Sequence, residues 1–255
     1  MMKNFTLLLF SVFVFGLSAS GQIKINKLFK AGGDLINAFT LSDDAVAEMS
    51  RRAVSALDSM NKVDTAAYAI RLDSVTQNLS IDGMTLNFKV YQRDEVNAFA
   101  CGDGSVRIYS GLMDVMTNDE LVAIIGHEIG HVARNDAKNS LKNAYLKSAA
   151  ESAAGSVSKG VAAQLSQSQL MELTHALASA QYSQQQEYAA DEFGFEFCVR
   201  HGIDPYAMYN ALTKLSQLSK KPGAHASTLL QAFSTHPDSD KRAEKMKAKA
   251  DELQH

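Results

Sequence analysis

One stretch constrains this chain more than any other, residues 117–136, which read TNDELVAIIGHEIGHVARND. Thr117 and Glu120 have the spacing of a capping box, which predicts that a helix begins here. The residues that follow are apolar on most faces, and this indicates a buried helix rather than a surface one. His127, Glu128 and His131 interrupt the apolar surface. Because buried polar groups must be satisfied, the rest of the fold has to supply what satisfies these three.

The spacing of the two histidines predicts a metal site. Positions i and i+4 lie one helical turn apart on the same side, so the two imidazoles can share one tetrahedral ion. Glu128 flanks that site and can take a proton from a water molecule at the metal, as in the H-E-x-x-H pattern of zinc hydrolases. The alternative is a pair of histidines hydrogen-bonded to neighbours. The apolar setting disfavours it, since each unpaired polar group would cost about 1–3 kcal/mol.

A second group of polar residues occurs in YSQQQEYAADEFGFEF, residues 182–197, which is predicted to lie on a helix. Glu187 and Asp191 are four residues apart and therefore share one face. A hydrolytic zinc site with two histidines needs a third protein ligand and an open fourth position. Glu187 is the candidate ligand, and Asp191 the candidate acceptor for the N–H of a ligand imidazole. The alternative is a solvated acidic face, which we expect for Glu192 and Glu196.

Two residues near the C-terminus are further candidates. His236 lies in the sequence Ser-Thr-His-Pro, just before a predicted final helix that contains Arg242. A histidine held rigidly there could bind the oxyanion or occupy the open metal position, and Arg242 could assist at the oxyanion. The alternative is an ordinary turn at the start of a helix. The remaining isolated histidines are expected to be solvated: His175, His201 and His225.

The hydrophobic period changes just before the motif helix, where a small sheet is predicted. Alternation over Leu86–Val90 and the segments 96–100 and 105–109 indicate three strands, with a turn at 101–104. An edge strand formed by Asn97, Ala98, Phe99 and Ala100 could pair with an extended peptide. The alternative is a sheet that only covers the core.

Composition sets the class of the fold. The chain has 255 residues, 46% of them hydrophobic, which suits one domain with a proper core. With 3 Pro and 15 Gly it should be α+β and mostly helical. Support helices are predicted over 42–62 and 64–79, an Ala/Ser-rich helical excursion over about 137–166 with a break near 155–160, and a helix over 170–182. A net charge of −3 without a long basic run excludes a typical nucleic-acid-binding protein.

Residues 1–20 have the order of a secretory signal peptide, with Lys3, an apolar run over 5–17 and then small residues. The alternative is an uncleaved anchor, but the run is short for a membrane span, which needs about 20 residues. No cysteine follows it, so a lipid anchor is not expected. The mature chain, from residue 21, should be exported to the periplasm or secreted. Cys101 and Cys198 could form a disulfide there or remain two buried thiols.

Three ordered motifs together resemble a known family. These are the stretch from VNAFACGDGSVRIYSG to the motif helix, the acidic helix, and the final STHP with Arg242. They are similar to the HtpX, LoiP and CAAX prenyl protease family (metallopeptidase family forty-eight), and within it to the soluble LoiP-like and BepA-like branch of the bacterial envelope. The resemblance covers residue 41 to the C-terminus. The membrane helices of other branches and the lipidated cysteine of LoiP-like proteins are not matched.

The resemblance implies a gluzincin-like metallopeptidase domain that holds one zinc ion per chain. It implies His127, His131 and Glu187 as metal ligands and Glu128 as the catalytic base, acting on polypeptides such as unfolded or misassembled envelope proteins. Two alternatives remain at this stage. One is an envelope chaperone or assembly factor with low or gated proteolytic activity, and the other is a structural zinc domain, in which His236 would close the fourth position.

Overall fold

The computed structural model describes residues 43–151, 167–220, 236 and 239–254. These ranges contain nine helices and three strands, which confirms a mostly helical α+β fold with a small sheet. In chain order the elements are α1 (Asp43–Met60), α2 (Ala67–Thr76), β1 (Asn87–Tyr91), β2 (Ala98–Ala100), β3 (Ser105–Tyr109), α3 (Ser110–Val115), α4 (Asn118–Ala133), α5 (Asp136–Glu151), α6 (Gln167–Ala178), α7 (Gln184–Arg200), α8 (Ala207–Ser219) and α9 (Ser239–Glu252).

The sheet has the order β1-β3-β2, with β1 parallel and β2 antiparallel to the central strand β3. A tight turn joins β2 to β3, where the Gly104 N–H donates to the Cys101 carbonyl. Gly104 has a φ of 86°, a left-handed conformation that glycine adopts at no steric cost. The turn leaves β2 at one edge of the sheet, on the side that faces α4.

Both faces of the sheet are buried because its residues alternate between two apolar clusters. Val106 and Ile108 belong to the larger cluster, which is formed with α4, α7, α8 and α9. Phe99 and Tyr109 belong to the smaller cluster, formed with α1, α5 and α6. The sheet is therefore the middle of three layers. The two cysteines lie in different clusters and are free thiols, so the disulfide alternative is not realised.

The motif helix α4 begins as its sequence predicts. The Thr117 N–H donates to Glu120 Oε2 at 2.7 Å, and the Glu120 N–H donates back to Thr117 Oγ1 at 3.3 Å. The helix is buried from Glu120 to His131. It ends at Ala133, and Asn135, with a φ of 64°, then turns the chain into α5. Asn tolerates this left-handed conformation better than most residues.

Several predicted boundaries were wrong. α6 ends at Ala178 rather than at residue 182, because Ser183 and Gln186 form a second capping box that starts α7 at Gln184. Tyr182 therefore lies in the connection and not on a helix. α2 is shorter than the predicted 64–79, since Asp64 Oδ1 accepts two backbone N–H groups and delays the start of the helix to Ala67.

Some predictions fall outside the described residues. These are the signal peptide at 1–20, the break near 155–160 and the isolated His225. Of the helices that lie within the described ranges, none has both the length and the apolar character needed to cross a membrane.

One charged cluster fixes α1 to the sheet. Arg107 on β3 is only 2% exposed, and its Nε and Nη2 donate to the two carboxylate oxygens of Asp58 at 2.8 and 3.1 Å. The Lys89 ammonium and the Tyr91 hydroxyl each donate to Asp58 at 2.7 Å. Burial alone would raise the pKa of Asp58, but these donors outweigh it and lower the pKa.

We predict that Asp58→Ala destabilises the fold by about 3 kcal/mol, because it leaves the buried Arg107 without its carboxylate. Chemical denaturation of the purified protein measures the difference. Glu48→Ala is the matched control on the same helix, since Glu48 pairs with Arg51 and Arg52 in an exposed position and such pairs contribute little. Equal stabilities of the two variants would contradict the role given to Asp58.

Candidate metal centre and active site

The two histidines of α4 are each held by a carboxylate. His127 Nδ1 lies 2.9 Å from Asp191 Oδ1, and His131 Nδ1 lies 3.1 Å from Asp136 Oδ2. A carboxylate accepts hydrogen bonds, so in both rings it is Nδ1 that carries the hydrogen. A neutral imidazole has only one N–H, so in neutral rings both Nε2 atoms are left with a lone pair that can bind a metal ion.

These two lone pairs converge. His127 Nε2 and His131 Nε2 are 3.2 Å apart, and both side chains are at most 3% exposed. Burial lowers the pKa of His127 to about 4, so this ring is neutral at pH 7. With Nδ1 of each ring already donating, neither Nε2 has a hydrogen to offer the other. Two buried acceptors at this distance repel each other unless a cation lies between them.

Glu187 on α7 completes a triangle of donor atoms. Its Oε1 lies 3.3 Å from His131 Nε2, and its Oε2 lies 3.7 Å from His127 Nε2. Ligands at about 2.0–2.1 Å from a tetrahedral ion are about 3.3 Å from one another. The three side chains therefore fit a zinc-sized ion. Burial alone would raise the pKa of Glu187, but the facing His236 ring and the rings of His131 and His127 lower it.

Arg242 on α9 holds the two carboxylates of α7. Its Nε and Nη2 donate to the two oxygens of Asp191, both at 2.7 Å, and its Nη1 lies 2.6 Å from Glu187 Oε2. The arginine is 2% exposed, and both carboxylates are fully buried. Burial would raise the pKa of Asp191, but the paired guanidinium outweighs it and lowers the pKa. Asp191 is thereby kept as an acceptor for His127.

His236 lies across the site from α4. Its Nδ1 is 3.0 Å from both oxygens of Glu187 and 3.3 Å from His127 Nε2. One atom from each of His127, His131, Glu187 and His236 lies within 4.8 Å of the others. Together these four side chains can surround an ion completely.

Glu128 lies beside this cluster and lines a narrow cavity. Its side chain is 6% exposed, and its Oε1 is 3.6 Å from His236 Nε2. Burial raises the pKa of Glu128 to about 7, so the carboxyl group can both accept and return a proton near neutral pH. The cavity is lined by Asn97, Ala98, Phe99 and Ala100 on one side and by Leu177, Ala178, Ala180 and Tyr182 on the other.

Comparison with known proteins agrees with this geometry. The family model described as Peptidase family M48 matches residues 66–250. The chain belongs to peptidase family M48. It is 36% identical to Metalloprotease LoiP of Escherichia coli (strain K12) over 223 residues, 86% of each chain. It is 34% identical to Metalloprotease YcaL of the same organism over 251 residues, covering 95% of this chain and 96% of YcaL. A Yersinia pestis Beta-barrel assembly-enhancing protease is 29% identical over 173 residues, 66% of this chain and 35% of that protein.

This M48 chain is a metalloprotease, and its family implies a metal ion in the site. Every candidate residue from the C-terminal half lies close to α4. One interpretation needs revision: Arg242 donates to Asp191 and Glu187 behind the ligands, rather than facing the cavity.

Sequence reasoning missed Asp136 and Tyr182. One feature of the sequence could have pointed to Asp136: it is a carboxylate that directly follows an Asn at the end of the motif helix.

The close approach of α4 and α7 depends on glycine. A Cβ on Gly194 would lie 2.9 Å from the His127 nitrogen and 3.0 Å from the Ala123 carbonyl oxygen, both backbone atoms. A Cβ on Gly126 would lie 3.0 Å from the Cα of Gly194. The two helices therefore touch backbone to backbone. This contact brings Glu187, two turns earlier on α7, up to the histidines.

We predict that Gly194→Ala destabilises this M48 domain by about 1–3 kcal/mol and weakens its hold on metal, because the added methyl group pushes α7 away from α4. Denaturant unfolding and metal content measure the two effects. Gly102→Ala is the control, since its Cβ would meet nothing closer than 3.5 Å. The proposed crossing contact is disproved if Gly194→Ala matches this control in both measurements.

Proposed function

We propose that this M48 metalloprotease is an exported zinc endopeptidase, with His127, His131 and Glu187 as ligands and Glu128 as the general base. The convergence of the two Nε2 lone pairs, 3.2 Å apart, is the observation that supports the metal most directly. Nitrogen and carboxylate ligands at this spacing suit zinc. A second observation is the position of Glu128, next to the proposed ligands and in the lining of the cavity.

The proposed reaction is hydrolysis of a peptide bond. When bound, zinc supplies Lewis-acid chemistry, which activates a water molecule and polarises the scissile carbonyl. Glu128 accepts the proton from the attacking water and then returns it to the leaving amine. Its pKa of about 7 suits both transfers. Asp191 and Asp136 fix the orientation of the two ligand rings, and Arg242 keeps Asp191 and Glu187 in place.

The proposed substrate is an extended polypeptide, because an edge strand of the sheet lies beside Glu128. β2 forms one edge of the sheet, and its residues line the cavity that holds Glu128. An extended peptide can pair with such an edge through backbone hydrogen bonds, without a requirement for particular side chains. Unfolded or misassembled proteins expose segments of this kind. We therefore propose that Asn97–Ala100 hold the substrate beside Glu128.

The proposed setting is the bacterial envelope. Residues 1–20 have the pattern of a signal peptide, and we propose that it is cleaved and that the mature chain acts in the periplasm or is secreted. One similar protein is named as a protease that enhances β-barrel assembly. By analogy, we propose quality control of envelope proteins as the task of this chain, with envelope proteins as its binding partners.

The position of His236 favours a second candidate, a gated enzyme that also acts as a chaperone or assembly factor. Its Nδ1 faces the same space as the three ligands, so this ring can occupy the fourth metal position. A catalytic zinc site needs that position open. Occupied by His236, the site would rest in a closed, structural form, and cleavage would require the ring to leave.

We predict that Glu128→Gln retains zinc and lowers cleavage at least about 100-fold, because it removes only the proton acceptor. Glu187→Ala should lose both zinc and cleavage. Zinc content by atomic emission and digestion of casein measure the two properties, with chelator-treated wild type as the reference. Retained cleavage by Glu128→Gln would contradict the assigned base. Absence of zinc from the wild-type protein would contradict the proposed zinc site.

We predict that His236→Ala distinguishes a gate from an oxyanion donor. A gate predicts faster casein cleavage and weaker zinc binding than in the wild type, because the variant lacks a fourth ligand. An oxyanion donor predicts slower cleavage with zinc binding unchanged. His175→Ala, at an exposed histidine of α6, is the control and should alter neither. The geometry favours the gate, and slower cleavage would eliminate it.

A further inference from the structure

Tyr182 is in direct contact with one of the proposed ligands. Its ring lies parallel to the ring of His131, with centroids 3.8 Å apart and planes 18° apart. The residue belongs to the connection between α6 and α7, one position before the N-cap Ser183. Its place is therefore set by the start of the helix that carries Glu187. The Tyr182 ring also lies 6.2 Å from the ring of His236, and the residue lines the cavity beside Glu128.

The same turn also holds the edge of His131. Asp136 Oδ2 lies 3.1 Å from His131 Nδ1, and Asp136 Oδ1 accepts from Gln186 Nε2 at 2.7 Å. Gln186 is the capping-box residue, and its Oε1 accepts from the Ser183 N–H at 2.9 Å. The segment 182–186 therefore contacts the face of His131 directly through Tyr182, and it supports the edge of the ring indirectly, through the bond from Gln186 to Asp136.

A hydrogen bond at Nδ1 alone does not fix an imidazole ring. The ring can still tilt about the line from Cβ to Nδ1 and swing its Nε2 lone pair off the ion. A flat side chain stacked on the face removes this freedom. His127 is held differently: its ring contacts with His131 and His236 are edge-to-face, at 87° and 73°, and its support comes from Asp191.

We propose that Tyr182 is a positioning residue, whose ring holds His131 in the orientation that binds the metal. Metal binding withdraws electrons from the imidazole, and an electron-poor ring is attracted more strongly by the negative face of a phenol ring. The contact therefore favours the metal-bound form. This inference rests on the proposed zinc site, and it assigns the effect to the aromatic ring rather than to the hydroxyl.

Zinc affinity tests the inference without any need for turnover. The purified protein is stripped with a chelator and titrated with zinc against a chromophoric competitor. We expect Tyr182→Leu to weaken zinc binding about 10-fold, the lower end for residues that support a ligand. Tyr182→Phe keeps the ring and should bind within about 2-fold of the wild type. Tyr188→Leu is the matched control, a tyrosine of the following helix α7 that contacts Lys245 instead of a histidine.

Substitution of cobalt for zinc gives a second measurement, the absorption spectrum of the bound metal. A general loss of protein stability would not change this spectrum. The visible absorption of bound Co²⁺ depends on ligand geometry, and it should change in Tyr182→Leu but not in Tyr182→Phe or Tyr188→Leu. Unchanged affinity in Tyr182→Leu overturns the inference and leaves the protease proposal intact. Equal losses in the Phe and Leu variants also overturn it, because the hydroxyl would then be responsible. A wild type that binds no zinc overturns both proposals.

Discussion

The site depends on how closely α4 and α7 approach each other. Helices normally keep apart by the width of the side chains at their contact, and here Gly126 and Gly194 remove that width. The histidines and Glu187 come from these two helices, so their spacing is set by backbone contact rather than by flexible side chains. Because packed interiors yield little, the donor atoms are held close to metal-binding distances by the fold itself.

Charge explains why so many ionisable groups can be buried together. Asp136, Glu187 and Asp191 bring three carboxylates close to the two histidines, and Arg242 brings one guanidinium. Taken as ionised, these groups sum to a charge of about −2, which a divalent cation would balance. Such a cluster is costly in a dry interior without that ion. The repulsion among these buried negative charges favours the binding of a cation. It should also lower the stability of the metal-free protein.

The candidate site was largely predictable because its main members follow helical spacing. The i and i+4 pairs on α4 and α7 specify a shared face from sequence alone. Asp136 and Tyr182 were missed, because their positions follow from how one helix ends and the next begins, not from spacing within a helix. The φ of 64° at Asn135 aims Asp136 back at the motif helix, and the capping box at Ser183 fixes Tyr182.

The burial of Arg242 behind Asp191 depends on long-range packing, which the local sequence pattern does not encode. The parallel pairing of β1 with β3 likewise depends on the whole fold.

The donor atoms converge in space but are distant along the chain. Glu187 lies 60 residues after His127 (187 − 127), and His236 lies 49 residues after Glu187. A single ion held between them would tie these long loops together, as a cross-link does, and its contribution would come partly from the reduced freedom of the unfolded chain. If His236 is one of the ties, its release for catalysis would also remove one of these cross-links. Opening the site would then weaken the contribution of the ion to the stability of the fold.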